Sequence, residues 1–244
     1  MKLDVKKIIE ELDLLFSKNE AEKAGKFLYE KLALSREYSD KASELAILNE
    51  LIGFHRRTNK KDEALSAVND ALSLVESGEF GDGITAATTY LNSATTLFSY
   101  GFSERAMNLY EKAEKVYSVR LQKNDYRLAA FYNNYGLALN ETGECEKAKE
   151  CYEKALDILF FTGENKAEIA VTYCNMAYVY EKYEDYEHAD ECLDNAMKNL
   201  DSETERNGYY AFNCEKCADA FDYFGRFFDC GKLKERAKDI YERN

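Results

Sequence analysis

The chain has 244 residues, no proline, 12 glycines and a formal net charge of −13. Without proline few breaks are forced on a helix, and so acidic a balance disfavours nucleic acid or an anionic membrane as the main partner. No stretch approaches the roughly 18 continuous apolar residues that a bilayer span needs, and Met1-Lys2-Leu3-Asp4-Val5-Lys6-Lys7 lacks the apolar run of a signal peptide.

Taken in order, the chain repeats one plan. Residues 5–38 read as a degenerate opening copy, with Leu12, Leu15, Asn19, Ala24 and Leu28 in its columns. The next copy carries Ile52, a turn at Asn59, then Ala64, Val68 and Ala71. After a break from Glu76 to Gly83, the small residue Ala94 is followed by a turn at Gly101 and by Ala106, Tyr110 and Ala113. A break from Gln122 to Asp125 leads to Gly136, the turn Thr142-Gly143-Glu144, then Ala148, Tyr152 and Ala155. Another break, Thr162 to Lys166, precedes Ala177, Ala189, Leu193 and Ala196. A long run from about Glu205 to Cys230 precedes Gly231, and Ala237 with Tyr241 predicts a last short helix.

The columns keep their register. Asn92, Asn134 and Asn175 stand two residues before the small residues Ala94, Gly136 and Ala177, and each column steps by 42 and then 41 residues. A fixed period of this size marks a solenoid, in which each unit packs on its neighbours. Within a copy, Phe131, Tyr135, Ala138 and Leu139 recur at helical spacing before Gly143, and Ala148, Cys151, Tyr152, Ala155, Leu156 and Leu159 recur after it. That pattern predicts two amphipathic helices joined by a tight turn. The small residues should lie where the helices cross, with Tyr152 plugging the gap. The expectation is an all-α, right-handed superhelix of five to six helix pairs. It forms one domain over 1–244, with well-matched repeats over about 40–200 and divergent capping helices over about 205–244.

The pattern of small residue, turn, alanine, aromatic and alanine resembles the tetratricopeptide repeat (TPR). The long period, with Tyr132-Asn133-Asn134-Tyr135-Gly136 and Tyr173-Cys174-Asn175-Met176-Ala177, looks most like the variety in kinesin light chains. The sequence departs from the family in that no proline closes a repeat and no tryptophan opens one. The resemblance implies a concave groove lined by the first helix of each pair, whose asparagines bind the backbone of a peptide or protein segment. Carried over by alignment, these are Asn92, Asn134 and Asn175. An amide offers both donors and an acceptor, so it can pair with a peptide unit whatever side chain the ligand carries. Helical spacing adds Asn133, Leu91, Thr95, Leu137 and Tyr178, with Phe98 and Lys182 one turn further. The same asparagines could instead bond an adjacent helix and fix stacking. In the first copy the equivalent stretch runs from Asn49 to Arg57. It ends in His55-Arg56-Arg57, which with Lys60 and Lys61 forms the one distinctly basic cluster. Arg56 and its neighbours could hold a ligand carboxylate or phosphate, or be cations favoured at a helix C-terminus.

Residues 1–122 hold 17 Lys and Arg against 20 Asp and Glu, and residues 123–244 hold 16 against 26. The acid of the second half is either a solvated outer face or a docking surface for a basic partner. The seven cysteines, Cys145, Cys151, Cys174, Cys192, Cys214, Cys217 and Cys230, read as free thiols of a cytoplasmic protein. Cys214-x-x-Cys217 has no second pair at zinc spacing; His55 and His188 are too few for a triad. Gly78, Gly81 and Gly83 lack a phosphate-loop lysine. The sequence predicts no catalysis, no cofactor and no metal. It predicts a scaffold or adaptor gripping a linear segment or, alternatively, a peptide-sensing regulator lacking its own DNA-binding module. The aromatic run Tyr209-Tyr210-Ala211-Phe212 with Phe221, Tyr223, Phe224, Phe227 and Phe228 is expected to be either sealed by the last helix or a homodimer face.

Overall fold

A computed structural model describes residues 2–18, 20–163 and 165–243. Among the described residues there are twelve α-helices and no strand. The chain divides into two compact units, residues 1–121 and 122–244.

The first unit holds α1 (Val5–Ser17), α2 (Ala21–Glu37), α3 (Lys41–Arg57), α4 (Lys61–Glu76), α5 (Ile84–Ser99) and α6 (Ser103–Arg120). Odd and even helices pack as hairpins, and each hairpin stacks on the next: α1, α3 and α5 touch in sequence, while α2 meets α3 and α4 meets α5. Leu12, Ala24 and Leu28 are buried in α1 and α2, so the opening copy forms a real pair. Of its other two column residues, Leu15 is half-buried and Asn19 lies outside the described residues.

The second unit repeats this with α7 (Tyr126–Glu141), α8 (Cys145–Thr162), α9 (Lys166–Lys182), α10 (Tyr186–Ser202), α11 (Gly208–Tyr223) and α12 (Phe227–Arg243). Here α7, α9 and α11 touch in sequence, α8 meets α9 and α10 meets α11. Gly136 in α7 is required. A Cβ there would stand 2.8 Å from the Tyr152 ring, which is itself fully buried in α8. The small residue and its aromatic plug meet as the columns predict.

One turn geometry closes the hairpins. Asn59, Gly101, Gly143, Glu184 and Gly225 all have positive φ. Each is followed by an N–H that bonds back five residues: Lys60 to His55 O, Phe102 to Leu97 O, Glu144 to Leu139 O, Asp185 to Tyr180 O and Arg226 to Phe221 O. This pattern satisfies helix-end carbonyls and favours glycine or asparagine at the left-handed residue. The next helix then starts on a side-chain cap where one is available, as at Asp185, whose carboxylate accepts the His188 N–H at 3.2 Å.

The C-terminal expectation needs correcting. The long helix expected over 205–230 is broken at Gly225 (φ 75), and Gly231 lies inside α12, a full 17-residue helix. Gly225 stands one 41-residue step after Glu184, so α11 and α12 form a sixth complete pair. Phe224 and Phe228 therefore do not share a helix face. Cys230, Leu233, Ala237 and Ile240 of α12 bury against α11, where Cys214, Cys217, Ala218 and Phe221 are buried.

Candidate functional site

The expected binding residues lie on the odd-numbered helices, and the structure uses many of their polar groups to join one such helix to the next. In the first unit Asn92 Nδ2 donates to Asn49 Oδ1 at 2.9 Å, and Asn49 Nδ2 donates to Thr89 Oγ1 at 2.9 Å and to Leu45 O at 3.0 Å. The pair ties α3 to α5. Thr95 turns toward α6, where its Oγ1 accepts from the Tyr110 hydroxyl at 3.2 Å and donates to Leu91 O. In the second unit Asn133 Nδ2 donates to Thr172 Oγ1 at 2.9 Å across α7 and α9, and Asn134 Nδ2 donates to Ala130 O at 2.8 Å in its own helix. Lys182 Nζ caps α7 by donating to Asn140 O. Tyr178 lies 5.1 Å from the Tyr223 ring and 5.2 Å from the Phe224 ring, and burial pushes its hydroxyl pKa up to about 12.

What these groups leave over defines the chemistry available to a ligand. Among the described residues, Asn92 Oδ1, Asn134 Oδ1 and both polar atoms of Asn175 have no hydrogen-bond partner, and none of them is sealed from solvent. Two acceptors and one whole amide therefore remain.

The basic cluster does not act as one patch. His55 is buried, and its Nε2 lies 2.9 Å from the Tyr29 hydroxyl, while its Nδ1 has no partner. Burial holds its pKa below the ordinary histidine value, ahead of the opposing charge of Glu63. Arg57 lies over the Phe16 ring at 4.5 Å, and Lys61 over Tyr100 and Phe102. Arg56 differs from both. It is half-buried, its one hydrogen bond is to Thr96 Oγ1 at 3.4 Å, and no carboxylate lies within salt-bridge distance among the described residues. Burial lowers its pKa from the usual arginine value. A guanidinium with five donors is left with most of them unspent.

Sequence reasoning missed a tyrosine–carboxylate clasp in the second unit. Tyr126 of α7 donates its hydroxyl to Glu168 Oε1 of α9 at 2.6 Å, and Tyr209 of α11 donates to the same oxygen. Burial first, and then the Glu168 charge, raise both phenol pKa values. Two similar bonds sit near the hairpin turns: Tyr183 to Glu146 Oε2 at 3.0 Å and Tyr223 to Glu181 Oε1 at 3.2 Å. The steps from Tyr126 to Glu168 and on to Tyr209 are 42 and 41 residues, so the repeat period itself carried the signal.

The seven cysteines are all free thiols, six of them buried. Cys214 and Cys217 lie inside α11, with the Cys217 thiol against Cys174. Burial pushes the Cys192 thiol up to about 12 and Cys214 to about 11, far from the reactive range. No His, Cys, Asp or Glu group of metal-binding arrangement occurs among the described residues. Nor is any helix among them long and apolar enough to cross a membrane.

Comparison with known proteins bears on the fold. The tetratricopeptide repeat family model matches residues 127–202, and no curated protein sequence matches the chain. Among solved structures it is similar to BtubC (BKLC) from P. vanneervenii, with 18% identity, 99% of this chain and 92% of that one covered, and a TM-score of 0.60. A putative kinesin light chain from Podosopora anserina with nearly identical TPR-like repeats gives 16% identity, 80% and 94% coverage, and a TM-score of 0.56. A Rap protein solved with Competence and Sporulation Factor gives 13% identity and a TM-score of 0.68, with 98% of this chain covering 65% of that one. Residues 127–202 thus match the tetratricopeptide repeat, and the chain shares the helix-pair fold of these solved structures.

Proposed function

We propose that the chain is a non-catalytic adaptor whose odd-numbered helices bind an extended peptide or protein segment. The observation that carries this is the set of solvent-reaching groups left unpaired after the fold has taken its own hydrogen bonds: Asn92 Oδ1, Asn134 Oδ1, the Asn175 amide and the Arg56 guanidinium. The amides serve peptide N–H and C=O groups without regard to ligand side chains, and in the first unit Arg56 offers its charge to an anionic group. Thr95, Tyr178, Asn133, Asn49 and Lys182 shape and stiffen this surface through their bonds to neighbouring helices. Seven free thiols suit work in a reducing, cytoplasmic compartment. The fold likeness to a Rap protein solved with Competence and Sporulation Factor supports a second reading, in which the bound segment is a signal and the chain a sensor.

Peptides selected from a displayed library on the wild-type chain provide the test. Asn175→Ala breaks no bond within the fold and should weaken selected peptides by about 1–3 kcal/mol while leaving the melting temperature unchanged. Combined with Asn92→Ala and Asn134→Ala it should abolish binding. Unaltered affinity in the folded triple variant would make these asparagines stacking residues only.

A further inference from the structure

The turn between α9 and α10, with the neighbouring turn between α11 and α12, presents an aromatic edge. Phe228 is 76% exposed, Phe227 69%, Tyr186 63% and Tyr223 60%. Tyr223 ties the two turns together, and Phe227 and Phe228 open α12 directly after the second of them. Tyr223 lies 5.1 Å from both the Tyr178 and Phe224 rings and donates at 3.2 Å to Glu181, at the end of α9 just before the turn that carries Tyr186. So much exposed ring surface in one place marks an interaction face.

Its charge says what kind of partner suits it. From Glu181 to Glu191 six carboxylates stand against one lysine, and that lysine is engaged with Asn140 O. Glu184 and Glu187 bracket Tyr186, and neither pairs with a cation among the described residues. The molecule's own cations already use the rings of this edge: Lys232 Nζ sits 4.2 Å over Phe228 and Lys149 Nζ 5.6 Å over Tyr180. Tyr186 and Phe227 have no such partner among the described residues. Ring faces flanked by unpaired carboxylates favour guanidinium and ammonium groups, which gain cation–π attraction and charge pairing together.

We propose that this edge is a second docking surface, distinct from the asparagine-bearing helix face, and that it takes an arginine- or lysine-rich segment of a partner protein. The corresponding turn of the first unit carries Arg57, Lys60 and Lys61 instead, so the preference belongs to the second unit alone.

The probe is a fluorescent nona-arginine peptide, with a nona-glutamate peptide for comparison, titrated onto the full chain at physiological ionic strength. Binding of the arginine peptide alone is expected. Tyr186→Leu with Phe227→Leu keeps apolar bulk but removes two ring faces, and should weaken binding about fivefold or more. Glu184→Gln with Glu187→Gln should weaken it comparably, whereas Glu150→Gln with Asp157→Asn, an equal charge change on the outer face of α8, should have less than twofold effect. Equal loss in the α8 control would mean diffuse attraction to an acidic protein and overturn the proposal. So would an unchanged ring variant, or a wild-type dimer that the ring variant dissolves, since the face would then belong to a second copy.

Discussion

The two units run one helix-pair plan with different chemistry at the joints. In the first, odd-numbered helices are joined by neutral groups, Asn49 with Asn92 and Thr89, and by Arg56 reaching Thr96. In the second, one neutral joint remains, Asn133 with Thr172, and tyrosine hydroxyls also donate to carboxylates, with Glu168 held between Tyr126 and Tyr209. Charge follows the joints: −3 for the first unit and −10 for the second. The repeat backbone therefore prescribes where helices meet and leaves open what holds them. A surface of either sign can be built on one frame. The unspent cation of the first unit and the carboxylate-rich aromatic edge of the second are the two results.

The largest expected effect breaks the second unit at its tightest contact. Gly136→Ala places a methyl 2.8 Å from a buried ring and should destabilise by about 1–3 kcal/mol. Gly53→Ala in α3, one residue past the equivalent column position Ile52, meets nothing within 4 Å and should stabilise by about 0.5–1 kcal/mol, since alanine is the better helix former. Denaturant midpoints of the two variants should move in opposite directions; movement the same way would mean that close approach does not distinguish the pairs.

A smaller effect is expected at the clasp. Glu168→Gln replaces a charged acceptor of two hydroxyls with a neutral one and should cost about 1–2 kcal/mol. Amide exchange should quicken in α9 and α11, with the first unit unaffected. A cycle with Tyr126→Phe should give less than the sum of the single losses, because both changes act on the same bond.

The smallest effect separates the units by pH through their single histidines. His55 has a pKa below 6.5 because it is buried, and charging it would turn Nδ1 into a buried donor without an acceptor. The unfolded chain then binds more protons, so first-unit stability is complete above 6.5 and falls as the pH drops toward the folded value. His188 is the reverse. Its hydrogen bond to Asp185 at 2.7 Å raises its pKa, so its contribution is present below 6.5 and is lost as the pH rises through the raised value. Amide exchange at pH 5.5 and 7.5 should show the first unit loosening in acid and α10 loosening in base. His55→Leu and His188→Ala should each flatten one trend, and a shared response in both units would contradict the assignment.

Much of this was legible in advance because a period constrains many residues at once. Ala94, Gly136 and Ala177 with Ala106, Ala148 and Ala189 announced close helix crossings, and Tyr110 and Tyr152 announced the plugs. The last pair was bounded at the wrong residue. Gly231 drew its boundary, whereas the chain turns at Gly225, one 41-residue step after Glu184, which holds a left-handed turn where glycine or asparagine is expected. Backbone geometry at that turn is enforced by the bond from Asp185 N to Tyr180 O, which a residue type does not reveal.

The amino-acid sequence by itself determined the helix pairs, their register and the crossing points, because sterics at 41- to 42-residue intervals favour small residues and apolar plugs in fixed columns. Only tertiary structure decided which polar groups are spent. Asn92 spends its Nδ2 on Asn49 across two helices, Asn134 turns its Nδ2 back on its own helix, and Asn175 stays free, although Asn92, Asn134 and Asn175 share one column. A side-chain amide bonds whatever donor or acceptor lies within about 3 Å, and the identity of that neighbour is set by the packing of a helix some forty residues away.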